Sequence, residues 1–314
     1  MLRAAASLFF YARFFSRFSA VGLRKRSAQW QPFTADLHGQ TWVVTGASGG
    51  IGQAIALGAN ARGAQVVVVA RDPQKLAAVQ LAAAHPERLA CWPVDLSLVA
   101  ATRKLAAALA ARQGGVSVLV NNVGVLRGDY SRTAEGLETS FATNLLNHFV
   151  LTEALHAEGA LQPAGVVINM SSGGMYGAAL DLSTIARNAA AEHDGMAAYA
   201  QHKRAQVELT RWWNQQWQGR PTAHAMHPGW VDTDGVRSSL PTFRAALQRQ
   251  LRHPEDGADT ALWLGATRPA AAADGGIWLD RIRDPEHEFG FTRKAKTGVD
   301  ALVAFLRETA ARIP

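Results

Sequence analysis

Residues 41–52 constrain the fold of this chain most strongly, because they join an apolar β-branched run to a helix-forming run through a glycine-rich turn. Residues 43–45 predict a buried strand. The turn contains Gly46, Gly50 and Gly52, and glycine permits positive φ and close approach of a ligand to the backbone. The helix that follows begins with unpaired N–H groups at the positive end of its dipole, which favours phosphate. We therefore expect the turn to hold a dinucleotide pyrophosphate, although a tight strand–helix turn without a ligand would also fit.

Predicted strands and helices alternate along the rest of the chain. The predicted strands are 65–70, 89–94, 116–120, 165–170, 221–226 and 276–279, and the predicted helices are 51–62, 73–84, 97–112, 137–156, 196–217, 254–266 and 300–310. Short connections in this pattern are typical of a parallel sheet covered by helices on both faces. We predict an α/β fold with a Rossmann-type doubly wound parallel sheet, in a single domain over residues 36–314.

Composition limits the classes of protein that fit. The chain of 314 residues is 48% hydrophobic, enough for a large core, and its single cysteine, Cys91, excludes an internal disulfide framework. One cysteine fits a reducing compartment, so we expect a cytoplasmic protein. No Cys/His set has zinc-ligand spacing, so no metal is expected. Much of the net charge of +7 lies at the N-terminus, so we do not expect the body to bind nucleic acid.

The N-terminal arm, residues 1–35, is rich in arginine and aromatic residues. Arginines interrupt it too often for a membrane-spanning helix, which needs about 20 mostly apolar residues. Three interpretations stay open. Residues 1–26 could form an interfacial helix with peripheral membrane contact, the segment could be a transit peptide, or it could be a helix that packs on the body or on a partner subunit.

Polar residues follow several of the predicted strands. They are Arg71 after the second strand, Asp95 after the third, Asn121 after the fourth and Ser172 after the fifth. Ligands of doubly wound sheets bind at the carboxyl ends of the strands. Each residue could be an ordinary loop residue, but their shared location predicts one site.

Tyr199 and Lys203 lie four residues apart on one predicted helix, so their side chains share a face. A nearby cation favours phenolate and would lower the pKa of the tyrosine. Such a tyrosine can exchange a proton with a hydroxyl or carbonyl oxygen, to which Ser172 could also hydrogen-bond. A nicotinamide would exchange the hydride. Alone, the pair would more often be a surface aromatic beside a solvated lysine.

Together these motifs resemble the short-chain dehydrogenase/reductase family over about residues 38–280, and within it the member 12 type most closely. The resemblance rests on the glycine turn, on the Asn-Asn-Val-Gly run at 121–124, on Asn144, on the Tyr-x-x-x-Lys pair and on the Pro-Gly segment at 227–233. It implies four catalytic residues, Asn144, Ser172, Tyr199 and Lys203. It implies cofactor contacts from Gly46, Ser48, Gly50, Ile51, Gly52, Asp95, Leu96, Asn121, Val123, Gly124, Tyr199, Lys203, Pro228, Gly229, Val231 and Thr233.

One departure from the family at large concerns the spacing of the serine and the tyrosine. Ser172 and Tyr199 are 27 residues apart (199 − 172 = 27), whereas the family usually keeps them closer. The excess, about residues 178–194, predicts an excursion over the mouth of the site that shapes the substrate pocket. The resemblance also implies a homo-oligomer.

Arg71 bears on the choice of cofactor. An acidic residue at the end of the second strand would bind the ribose 2′-hydroxyl of NAD, whereas arginine suits the 2′-phosphate of NADP. Arg71 therefore favours NADP(H) over NAD(H), although Asp72 follows it directly and Arg71 could instead stack on adenine or face solvent.

The leading hypothesis is an NADP(H)-dependent oxidoreductase that interconverts a carbonyl and an alcohol, with Asn144 supporting a proton relay through water. The alternative is a dinucleotide-binding interaction module without turnover, anchored by its arm. Met175, Tyr176, Trp230 and Phe243 could line an apolar pocket for a lipophilic, lipid-like or retinoid-like substrate, or could be ordinary core.

Overall fold

The structure, a computed structural model, describes residues 2–31, 33–271 and 275–314, with side chains from residue 10 onward. One eight-stranded sheet forms its centre, in the order β3-β2-β1-β4-β5-β6-β7-β8. The strands are β1 Thr41–Thr45, β2 Gln65–Ala70, β3 Leu89–Pro93, β4 Val116–Asn121, β5 Leu161–Met170, β6 Thr222–Met226, β7 Ile277–Leu279 and β8 Ile282–Asp284. Neighbouring strands from β3 to β7 pair in parallel, and β8 pairs antiparallel with β7. The predicted doubly wound fold is confirmed.

Helices cover both faces of the sheet. They are α1 Leu2–Phe18, α2 Ala20–Ser27, α3 Gly50–Asn60, α4 Pro73–Ala82, α5 Val99–Ala110, α6 Thr139–Phe141, α7 Asn147–Ala157, α8 Leu182–Ile185, α9 Gly195–Gln216, α10 Asp234–Ser239, α11 Pro241–Leu247, α12 Pro254–Thr267 and α13 Val299–Ala311. Successive strand residues alternate between two cores, as in β1, where Val43 faces the α5, α7, α9 and α13 layer and Val44 faces the α3, α4 and α12 layer. Both faces are buried, which explains the continuous valine runs.

The order of the strands fixes the position of the ligand crevice. The chain runs outward from β1 to β3 on one side and resumes at β4 on the other, so β1 and β4 are neighbours. Ligands of open α/β sheets bind outside the carboxyl ends of the strands at this switch point. The glycine-rich turn and the residues after β4 therefore lie side by side.

The N-terminal helices pack on the body. Phe14 and Phe18 of α1 are fully buried and stack on Tyr176. Arg17 pairs with Asp284 and Glu288. Within the described residues, no helix combines the length and the apolar character needed to cross a bilayer.

Three local features differ from the sequence-based expectation. The strand β8 was not predicted, because Ile282–Asp284 is too short to show a period. Two short helices, α10 and α11, lie between the predicted helices 196–217 and 254–266, and Pro241 begins the second of them. The predicted helix 137–156 contains a π-helical turn, Ala142–Leu146, between α6 and α7.

Candidate functional site

The glycine-rich turn between β1 and α3 needs glycine for steric reasons at two positions. Gly46 has φ of 64°, and a Cβ there would lie 2.7 Å from Val123 Cα. A Cβ at Gly52 would lie 2.4 Å from Asn122 Nδ2 and 2.6 Å from Gly46 O. These glycines therefore let the turn pack closely against the residues that follow β4. The start of α3 lines the cavity described next, and unpaired N–H groups at a helix start favour a pyrophosphate.

A cavity of about 820 Å³ runs along the carboxyl ends of the strands, within the size range of ligand-binding sites. Most of the predicted site residues line it. They are Gly46, Ser48, Gly50, Ile51, Gly52, Arg71, Asp95, Leu96, Val123, Gly124, Ser172, Tyr199, Lys203, Pro228, Gly229, Val231 and Thr233. Residues from separate parts of the sequence therefore share one space.

Two exposed cations line the end of the cavity next to β2. Arg71 follows the strand, and Lys75, which the sequence analysis missed, lies in the first turn of α4. Asp72 does not line this end of the cavity in the described residues. Its carboxylate caps α4 by accepting hydrogen bonds from Gln74 N at 2.9 Å and Lys75 N at 3.1 Å. Asp72, the acidic residue that weakened the argument for NADP, is therefore engaged as the N-cap of α4.

Ser172, Tyr199 and Lys203 come together in the lining of this cavity. Burial raises the pKa of the Tyr199 phenol, and a hydrogen bond with Ser172 partly offsets that rise. Lys203 is 3% exposed, and burial lowers its pKa to about 7. Its Nζ lies 5.6 Å from the centroid of the Tyr199 ring. The structure therefore does not have the expected lowering of the Tyr199 pKa by Lys203. Burial disfavours the charged form of both groups.

A glutamine connects Lys203 to Asn144. Lys203 Nζ donates to Met170 O at 2.7 Å and to Gln206 Oε1 at 3.2 Å. Gln206 Nε2 donates to Asn144 O at 2.7 Å and lies 2.9 Å from His148 Nδ1. The sequence signal for Gln206 was its position three residues after Lys203, on the same helix face.

Asn144 does not line the cavity with its side chain. Its amide holds the loop after β4, accepting from Val125 N at 2.7 Å and donating to Val125 O at 2.7 Å. The π-helical turn that contains Asn144 is of a kind often found at functional sites. Asn144 therefore acts on the site through the backbone that it holds.

The expectation for the Asn121 side chain needs correction. It was expected to contact the cofactor, but it is fully buried and its Nδ2 donates to Thr152 Oγ1 and Asn169 Oδ1, both at 2.9 Å. Its neighbour Asn122 lines the cavity instead and donates to Thr45 O at 2.8 Å. Side chains alternate along β4, so the last strand residue points into the core.

Aromatic side chains line the end of the cavity away from Arg71. Trp230 and Phe243, both predicted, lie 5.4 Å apart between ring centroids. Met175 and Tyr176 belong instead to the core beneath α1, with 0% and 1% exposure, so of the two alternatives left open for them the structure has the core. Sequence reasoning missed Phe10 and Tyr11, which reach this end from α1 and carry no local signal of a site.

The segment 178–194 was expected to shape the pocket. It contains α8 and a 3₁₀ turn at Ala190–Glu192, and none of these described residues lines the cavity. Asn188 O accepts a hydrogen bond of 2.7 Å from Tyr130. Leu182 N donates to Thr297 Oγ1 at 3.1 Å. These contacts hold the segment beside the mouth and away from the pocket wall.

One group of potential metal ligands lies outside the cavity. Glu208, Glu286 and His287 come close together, and Arg211 pairs with both carboxylates. The arginine compensates the acidic charge, so the cluster behaves as an ion-pair network.

Known proteins match this chain over most of its length. The family model described as short chain dehydrogenase matches residues 40–242. "Dehydrogenase/reductase SDR family member 12" from Bos taurus is 34% identical, with 99% of each chain covered. "Retinol dehydrogenase 13" from Homo sapiens is 28% identical, with 78% of this chain and 77% of that protein covered.

A solved structure with a bound nucleotide has the same fold. The "Pseudomonas aeruginosa RhlG/NADP active-site complex" has a TM-score of 0.61 and 26% sequence identity, covering 79% of this chain and 96% of that chain. The family model, which matches residues 40–242, includes the glycine turn and the Ser172, Tyr199 and Lys203 cluster described above. The chain belongs to the short-chain dehydrogenase/reductase family and is an oxidoreductase.

Proposed function

We propose that this oxidoreductase uses NADP(H) to interconvert a carbonyl and an alcohol, with Tyr199 as the acid/base. One observation carries the proposal: Ser172, Tyr199 and Lys203 line the same cavity as the glycine turn and Arg71. A nucleotide-binding module without turnover would need the glycine turn and Arg71, but it would not need Ser172, Tyr199 and Lys203.

Each group of residues in the cavity has a role that follows from its position. Gly46, Gly50 and the start of α3 would hold the pyrophosphate, and the bound nicotinamide supplies or accepts the hydride. Ser172 orients the substrate oxygen by hydrogen bonding. Tyr199 gives that oxygen a proton during reduction and removes one during oxidation. The raised pKa of the phenol favours its protonated form, which suits the reductive direction.

Lys203 supports this proton transfer. A positive charge beside the phenol stabilises phenolate as the proton leaves. The pKa of Lys203 is near 7 without bound anions, and the phosphates of a dinucleotide would raise it. Gln206 links the ammonium to the Asn144 carbonyl by hydrogen bonds and so positions Lys203, while a water would carry the proton in the expected relay.

Arg71 and Lys75 support the preference for NADP(H). Two cations at one end of the cavity suit a 2′-phosphate, and the Asp72 carboxylate is already bound by helix N–H groups. Fluorescence titration of the purified protein should give at least about tenfold tighter binding of NADPH than of NADH. Arg71→Ala should remove most of that difference and leave NADH affinity unchanged. Equal affinity of the wild-type protein for both would refute the preference.

The aromatic end of the cavity supports a lipophilic substrate. Trp230 and Phe243 offer apolar surface rather than hydrogen bonds. A panel of aldehydes and ketones of increasing chain length should show NADPH consumption with kcat/KM rising with length. A preference for small polar carbonyls would contradict this substrate class. Cofactor binding without consumption over the whole panel would favour the non-catalytic alternative.

We propose peripheral membrane contact through cations of the arm, because its aromatic residues Phe14 and Phe18 are buried against the body. Arg24 and Lys25 are exposed on α2, and cations near an anionic bilayer gain about 1 kcal/mol each. The protein should co-sediment with vesicles that contain phosphatidylserine, and Arg24→Glu with Lys25→Glu should release it. Equal sedimentation with neutral vesicles would contradict this mode of contact. The oligomeric state expected from the family is testable by light scattering.

A further inference from the structure

We infer that the N-terminal helix α1 forms one wall of the substrate site and that Tyr11 determines specificity for the apolar part of the substrate. This inference deepens the proposed function. It concerns residues that precede the family match at 40–242.

Tyr11 completes an aromatic cluster at the substrate end of the cavity. Its ring centroid lies 5.0 Å from that of Phe243 and 5.8 Å from that of Trp230, and all three residues line the cavity. Phe10, one residue earlier, lines the same space. The opening of the site is therefore bounded by two parts of the chain that are more than 200 residues apart.

The position of α1 is fixed close to the catalytic residues. The Phe18 ring lies 4.2 Å from that of His227, and a Cβ on Gly173, next to Ser172, would lie 2.9 Å from Phe18. Trp230 N donates to Phe18 O at 2.8 Å. These contacts tie α1 to the segment that follows β6 and to the turn that begins at Ser172, so the helix cannot move without disturbing the site.

Charged groups hold the same helix from the other side. Arg252, whose side chain is fully buried, donates to Arg17 O at 2.9 Å and to both carboxylate oxygens of Asp280. Arg26 also pairs with Asp280. A wall held this firmly can discriminate between substrates by shape, because a substrate that binds against it does not have to order a loop.

The wall selects for an apolar group because its lining offers aromatic faces. Burial of an apolar chain against Tyr11, Trp230 and Phe243 favours binding in proportion to the buried area. Short substrates end before this cluster and gain little from it. The discrimination should therefore appear in the difference between long and short ligands.

Binding without turnover tests the inference. We expect calorimetry with decanol to give about tenfold weaker binding to Tyr11→Ala than to the wild-type protein, and butanol to bind both alike. Phe15→Ala is the matched control, because Phe15 contacts Trp230 from the same helix but does not line the cavity. Tyr11→Phe keeps the ring and should bind decanol like wild type.

The outcomes are distinguishable. Equal losses in Tyr11→Ala and Phe15→Ala, or no loss in either, would overturn the inference. NADPH titration reports whether each variant keeps the folded site, so a variant that fails to fold is recognised and Tyr11→Trp, which keeps an aromatic ring, replaces it. That variant should weaken decanol binding by filling the space. Failure of the proposed reaction would appear instead as no NADPH consumption with decanal despite normal binding of decanol.

Discussion

Lys203 is a basic group almost without access to solvent, and this has a consequence for stability. Its pKa is about 7 in the folded protein, against about 10.4 for an unfolded chain. Between these values the unfolded state binds more protons, so this residue makes the free energy of unfolding rise with pH. Below about pH 7 both states are protonated and the full cost of burying the charge is present.

Lys203→Met should therefore stabilise the protein most at low pH. We expect the gain in the free energy of unfolding to be on the order of 2 kcal/mol larger at about pH 6 than at about pH 9. Urea titrations of both proteins at the two pH values measure this difference. A gain that is the same at both would show that Lys203 titrates normally.

Gln206 gives a second prediction at the residue scale. Its Oε1 is the one side-chain oxygen, among the described residues, that accepts a hydrogen bond from Lys203, at 3.2 Å. Gln206→Glu adds a negative charge and should raise the pKa of Lys203, whereas Gln206→Leu removes an acceptor and should lower it. The pH profile of kcat should move in opposite directions in the two variants, with kcat of Gln206→Leu reduced about tenfold.

Gln201 supplies the control for that experiment. It lies on the same helix and donates to Ala179 O at 2.7 Å, away from Lys203. Gln201→Leu should lower stability without moving the pH profile. Shifts in the same direction for both Gln206 variants would contradict a positioning role.

At the scale of elements, Asp280 joins the N-terminal helices to the end of the sheet. Its carboxylate is 2% exposed and accepts from Arg252 at 2.6 Å and 3.0 Å and from Arg26 at 2.7 Å. It follows β7 with φ of 52°, a conformation that asparagine also tolerates. The same residue therefore serves the turn, the buried arginine and the arm.

Asp280→Asn should destabilise the protein by about 3 to 5 kcal/mol, because it leaves the Arg252 charge buried without a partner. Trypsin should then cut the arm faster than in the wild-type protein. Asp259→Asn, which breaks the more exposed pair with Arg281 at 2.6 Å, should cost about 1 kcal/mol or less. Similar losses in thermal scans of the two variants would contradict the special role of Asp280.

The elements that sequence could predict are those with a local signal. The valine run of β2 lies at 65–70 as predicted, and Pro73 after Asp72 marks the start of α4. The motifs around Gly46 and Tyr199 can be recognised from residue type and spacing. The alternation of strands and helices then predicts that they share one cavity. The position of Asn121 did not follow, because a shift of one residue reverses the side of the strand.

Contacts between distant segments had no such signal. Nothing in the sequence near Tyr11 indicates Phe243 as its neighbour, and nothing near Asn188 indicates Tyr130. Met175 and Tyr176 are apolar in either role, so composition could not separate core from pocket. The aromatic content of the arm suggested a membrane, whereas part of that content forms a core with Tyr176.

At the scale of the whole molecule, one sheet brings three groups of residues to the same edge. The glycine turn after β1, the cations after β2 and the Ser172 turn after β5 meet along a single cavity. The arm closes its apolar end, so residues near the N-terminus complete a site that is otherwise built by the family fold. We therefore propose that the cavity is a reaction site rather than a nucleotide-binding site without turnover.

Hydride transfer tests this claim most directly. Wild-type protein would be incubated with NADPH deuterated at nicotinamide C4 and with decanal, and the alcohol analysed by mass spectrometry. We predict deuterium at the carbinol carbon, with the rate in Tyr199→Phe lower by about a hundredfold or more and the NADPH affinity unchanged. Transfer at the wild-type rate in Tyr199→Phe would contradict the role of the tyrosine, and no transfer by wild type to decanal or to the carbonyl panel would contradict the account itself.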